Sequence, residues 1–125
     1  MSNKTKITLN ELLRRKEQML ESKKTPKRAQ VYVRSLDGTI TIEAPPAALA
    51  RDAQSMDDAD RYMVYQCVID PNLKSKELQD AYGCFEPMEI VDKIFDDGEV
   101  PQISLECLRL AGYIESVKAV DEIKN

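Results

Sequence analysis

A chain of 125 residues, 42% hydrophobic and 32% charged, has the size and composition of one globular domain with a single apolar core. It has no His, which removes the commonest general base and metal ligand, and no apolar run near the ~20 residues that cross a bilayer. The net charge of −4 hides an asymmetry: residues 1–34 carry ten Lys/Arg against three Asp/Glu, and residues 35–125 carry eight against nineteen.

The N-terminal MSNKTKITLNELL has no apolar signal core, which predicts a protein that stays in the cytoplasm. Thr8 followed by Glu11 has the form of a capping box and predicts a helix to about Ser22. Leu9, Leu12, Leu13, Met19 and Leu20 then form a stripe roughly 120° wide, interrupted by Lys16. Glu11 and Arg15 stand at the favourable i, i+4 spacing. Residues 23–28 are basic, contain Pro26 and read as a flexible linker that isolates this helix. Such a helix is marginal alone, and it docks either on the chain's own core or on a partner.

Residues 29–43 read as a β-hairpin with a two-residue turn at Asp37-Gly38. That turn places Val33 opposite Ile42 and Ser35 opposite Ile40. Val31, Val33, Ile40 and Ile42 share one face, which helices must cover, because a lone hairpin is marginal in water. A short Ala-rich helix over about 47–54 follows. Asp57 is the predicted cap of the next helix, which runs to Ile69 and is apolar almost all round, as the central helix of a domain is. Ser75 caps a helix carrying Leu78, Ala81 and Tyr82. A Cys-Phe-Glu-Pro corner leads to another that opens at Pro87, carries Met88, Val91, Ile94 and Phe95, and ends at Gly98. Pro101 opens a further helix that ends at Gly112, and residues 113–125 form a charged amphipathic tail with Ile114, Val117, Val120 and Ile123.

Few residues are arranged for chemistry. Cys67, Cys84 and Cys107 are spaced 17 and 23 apart, without the close pairing of a zinc site or a disulfide framework, and read as buried reduced thiols. Asp57-Asp58-Asp60 suits a helix start, and Asp96-Asp97-Glu99 suits a solvated turn, without the alternating oxygen ligands of a calcium loop. None of the four glycines belongs to a phosphate loop or dinucleotide fingerprint. The basic arm lacks interleaved aromatics and the pI is near 4.9, against a nucleic-acid binder. A basic arm on an acidic body can instead bind an acidic partner, or the body of another copy.

The segments LNELLRRKEQ (Leu9–Gln18), LDGTITIEAPP (Leu36–Pro46), Cys67-Val68-Ile69-Asp70-Pro71 and ELQDAYGCFEPMEIVDKIF (Glu77–Phe95) together resemble the XkdN-like tail assembly chaperones of phages and prophages of Gram-positive bacteria. The resemblance covers roughly residues 8–112. It implies a non-enzymatic protein of the host cytoplasm, without cofactor, metal or catalytic residues. Such a protein is made between the tail tube and tape measure genes, keeps the tape measure protein soluble while the tube polymerises, and is absent from the finished particle. In many such phages a programmed frameshift also yields a longer form. The partners implied are the tape measure protein and the tail tube protein. A homo-oligomer through the N-terminal helix is also open, with neither membrane nor nucleic acid.

The expected fold is therefore mostly α with one β-hairpin (α+β): about five to six helices with the hairpin near the N-terminus packed on them. Residues 1–28 form an amphipathic helix and basic linker, 29–112 the core domain and 113–125 the tail. The expected partner-binding residues are Leu9, Leu12, Leu13, Met19 and Leu20, with Arg14 and Arg15 steering. A structural tail or connector component, and a small acidic regulatory or nucleic-acid-associated protein, are the alternatives.

Overall fold

The computed structural model of the chain describes residues 5–120. They fall into two units, one of residues 5–26 with 117–120 and one of residues 27–116. The first holds α1 (Leu9–Arg14) and α2 (Lys16–Ser22); a turn at Arg15 interrupts the single helix expected there. The second holds a three-stranded antiparallel sheet and five helices: β1 (Arg28–Val33), β2 (Gly38–Glu43), α3 (Ala47–Gln54), α4 (Ala59–Cys67), β3 (Val68–Asp70), α5 (Lys76–Ala81), α6 (Glu89–Ile94) and α7 (Glu99–Leu110). The α+β class stands, with seven helices among the described residues and a third strand added to the expected pair.

β2 lies between β1 and β3. The third strand comes from the end of the expected central helix. Val68 and Ile69 are β-branched, and Asp70 precedes a proline, which disfavours helical backbone there. The chain leaves the helix at Cys67 and pairs Asp70 with Thr41 and Val68 with Ile42.

The β1–β2 register differs from the expected one by four residues. Val31 pairs with Ile40, Ala29 with Ile42 and Val33 with Gly38. Arg34–Leu36 form a 3₁₀ turn closed by Asp37 at φ 48, so Gly38 enters the strand instead of the turn. An even shift preserves the face, and Val33, Ile40 and Ile42 are all buried.

Glu99, 64 residues away at the start of α7, holds that turn. Ser35 N donates to Glu99 Oε2 at 3.0 Å and Ser35 Oγ donates to Oε1 at 2.7 Å, while Asp96 N donates to Oε1 at 3.0 Å. The bonds from Ser35, then that from Asp96, hold the Glu99 carboxyl below its usual 4.5. A depressed folded-state value contributes stability that is present above 4.5 and lost as pH falls through the folded value. The stability lead of wild type over Glu99→Gln is therefore expected to shrink as urea titrations move from pH 7 to below pH 4.5. A lead that is flat with pH would remove Glu99 from this role.

α4 is the central helix. Met63, Val64 and Cys67 are buried along it, and α3, α6 and α7 pack around it. The small Ala50 and Ala53 of α3 allow close approach. Val100, Ile103, Ser104 and Cys107 line the buried face of α7 at the helical period, and α6 contributes Ile90 and Val91 at 0% exposure.

Several ends differ from expectation. Asp58, rather than Asp57, stands at the α4 cap, without a side-chain cap bond. α6 begins two residues after Pro87, behind overlapping turns whose bonds run from Glu89, Ile90 and Val91 to Glu86, Pro87 and Met88. It ends at Phe95 in extended backbone, and Gly98, at φ −74, caps the start of α7 rather than ending α6. Pro101 lies inside the first turn of α7, where no helical N–H bond is forfeited. Gly112 does end α7: at φ 91 it allows Tyr113 N to donate to Leu108 O and Gly112 N to Arg109 O. Residues 113–119 of the expected amphipathic tail are not helical, and Val120 is; residues 121–125, including Ile123, lie outside the described residues.

Candidate partner-docking site

The N-terminal unit is built as the capping pattern directs. Thr8 Oγ1 accepts from Glu11 N at 3.2 Å, and Leu12 N donates to Thr8 O at 3.1 Å. No residue of α1 or α2 is buried. Leu9 is 73% exposed, Leu12 49%, Leu13 61%, Met19 41% and Leu20 61%. Arg14 and Arg15, expected to steer a partner, both turn to one carboxylate. Arg15 Nε donates to Glu11 Oε2 at 2.7 Å, and Arg14 Nη2 donates to the same oxygen. Arg14 first, then Arg15, holds the Glu11 carboxyl below its usual range. Two cations on one anion leave a net positive charge beside the leucines, mostly in solvent.

A second apolar feature lies at the Cys-Phe-Glu-Pro corner between α5 and α6, which the sequence places there without marking Phe85 as exposed. Ser75 Oγ accepts from Leu78 N at 3.2 Å to open α5. Gly83, at φ 70, ends it, with Cys84 N donating to Gln79 O and Gly83 N to Asp80 O. The chain then presents Phe85, 96% exposed, beside Tyr82, 46% exposed. Gly83 and Pro87 on either side of Phe85 are the sequence signal for this loop.

The residues weighed for chemistry are brought together differently from their spacing. Asp57, Asp58, Asp60, Asp92 and Asp97 line one surface hollow of about 330 Å³ around Arg61, which joins the acidic segments that the sequence keeps apart. Arg61 Nε stands 3.0 Å from Asp92 Oδ2, an ion-pair contact without hydrogen-bond alignment, and Nη1 lies 3.6 Å from Asp58 Oδ2. Cys67 and Cys107, 40 residues apart, meet between α4 and α7. Cys67 Sγ donates to Met63 Sδ at 3.5 Å. The neighbouring Cys67 thiol, and then burial, push the Cys107 thiol up. Cys84 is half-buried, and all three are free. Among the described residues no cluster of His, Cys, Asp or Glu is arranged to hold a metal ion, and no helix is long and apolar enough to cross a membrane.

Comparison with known proteins gives one finding. The model of the phage XkdN-like tail assembly chaperone family matches residues 2–124, nearly the whole chain. No curated protein and no solved structure matches it. The chain belongs to the XkdN-like tail assembly chaperone family.

Proposed function

We propose that this member of the XkdN-like tail assembly chaperones binds the tape measure protein and keeps it soluble while the tail tube polymerises around it. The observation that carries this reading is the exposure of Leu9, Leu12, Leu13, Met19 and Leu20 on a basic two-helix unit, in a chain of that family. A long helical partner with apolar stripes of its own needs such stripes laid against it until the tube covers them. Release favours many weak, replaceable contacts over a few tight ones. Arg14 and Arg15 contribute to encounter more than to grip, because Glu11 already engages both. The action is non-enzymatic and takes place in the host cytoplasm, with the tail tube protein as the second partner.

Mass spectrometry of an infected lysate and of purified particles tests the reading. The chain is expected in the lysate bound to the tape measure protein and absent from particles. Stoichiometric presence in finished tails would make it a structural tail or connector subunit. Salt-dependent retention on DNA in place of tape measure binding would make it a nucleic-acid-associated regulator.

A further inference from the structure

The α5–α6 corner has the features of an anchor. Phe85 is almost wholly exposed, yet the backbone that carries it is held: Phe85 N donates to Glu89 Oε1 and Glu86 N to Glu89 Oε2, both at 3.2 Å. An aromatic side chain on a backbone already fixed loses little freedom on binding, which is what makes aromatics effective anchors. The adjoining chain selects the charge of the occupant, because residues 77–89 hold four carboxylates, Glu77, Asp80, Glu86 and Glu89, and no Lys or Arg.

The chain itself carries a segment complementary in both respects. Residues 5–28 hold eight Lys/Arg against three Glu, together with the exposed leucines. Lys16 opens α2, next in the chain to the exposed leucines of α1, and an aromatic face accepts an ammonium. We propose that the α1–α2 segment of one copy docks, through Leu9, Leu12, Leu13 and Lys16, on the Tyr82–Phe85 corner of a second copy. The segment and the corner are different surfaces, so each contact is heterologous: two copies close it by reciprocal exchange, and further copies extend it to rings or short chains. This deepens the function proposed above and rests on it in one respect: the same leucines are covered by a neighbouring copy until the tape measure protein displaces it.

Size-exclusion chromatography with light scattering on the full chain tests this, with circular dichroism as the folding control. Wild type is expected to run at two or more times its 14.2 kDa at about 50 mM salt and to lose mass at about 500 mM, where the charges are screened. Phe85→Asp alone and Leu12→Asp/Leu13→Asp alone are expected to be monomeric. An equimolar mixture of the two is expected to regain a two-chain mass, because one supplies an intact helix and the other an intact corner. A wild type that stays monomeric at every concentration, a Phe85→Asp protein with the wild-type mass, or a mixture that does not associate overturns the proposal. Retention of the tape measure protein by Phe85→Asp but not by the leucine variant would leave the proposed function standing in that event.

Discussion

Leu12→Asp together with Leu13→Asp is expected to abolish retention of the tape measure protein while the 27–116 unit keeps its fold. The two leucines are 49% and 61% exposed, so each has about half of its surface left to bury on a partner. Full burial of a leucine contributes about 1.5–3 kcal/mol, and the remaining half from two residues amounts to about 2 kcal/mol. Two carboxylates forced against an apolar stripe add a desolvation cost of at least similar size. A combined loss of about 4 kcal/mol weakens binding roughly a thousandfold. The circular dichroism spectrum and the thermal midpoint are expected to change little, because neither leucine is buried. A variant that unfolds instead would assign Leu12 and Leu13 to the chain's own core.

The second large effect is expected from Ile90→Ala. Ile90 is at 0% exposure on α6, within the cluster that joins the sheet residues Val33, Ile40 and Ile42 to Val64 of α4 and Ile103 of α7. Truncating a fully buried isoleucine costs about 2–5 kcal/mol, through lost transfer energy and the cavity left behind. Domains of this size are stable by about 5–15 kcal/mol in all. The thermal midpoint should fall by at least about 10 °C, read by circular dichroism on heating. A fall of less than about 3 °C would mean that α6 is not an integral wall of the core.

What could be read in advance was mainly which residues face inward. The alternation at Val31, Val33, Ile40 and Ile42 identified the inner face of the sheet, and that face survived a four-residue change of register because the side-chain period is two. The all-round apolar stretch at 62–69 marked α4 as central. Turn chemistry was read less well. Asp37-Gly38 has the composition of a two-residue hairpin turn, but Ser35 is held by Glu99, 64 residues away, a contact that no local pattern shows. Gly98 was expected to end one helix, and at φ −74 it opens the next. Glycine permits either, and tertiary packing decides.

Contacts between distant residues were out of reach for the same reason. Cys67 and Cys107 are brought together only when α4 packs on α7, and the carboxylates of 57–60 and 92–97 share a hollow only once α4, α6 and α7 are assembled. The start of α1 was legible, because the capping pattern at Thr8 is local, whereas the turn at Arg15 has no local breaker to announce it. Phe85 was not, since a single aromatic in a loop has no period to reveal whether it faces the core or solvent.

Temporary cover for another chain's apolar stripes is tested most directly by expressing the tape measure protein with and without this chain and measuring its partition between supernatant and pellet. The tape measure protein is expected to be soluble and to co-purify with wild type, and to enter the pellet when the chain is omitted or carries Leu12→Asp/Leu13→Asp. Equal solubility in all three cultures would contradict the account.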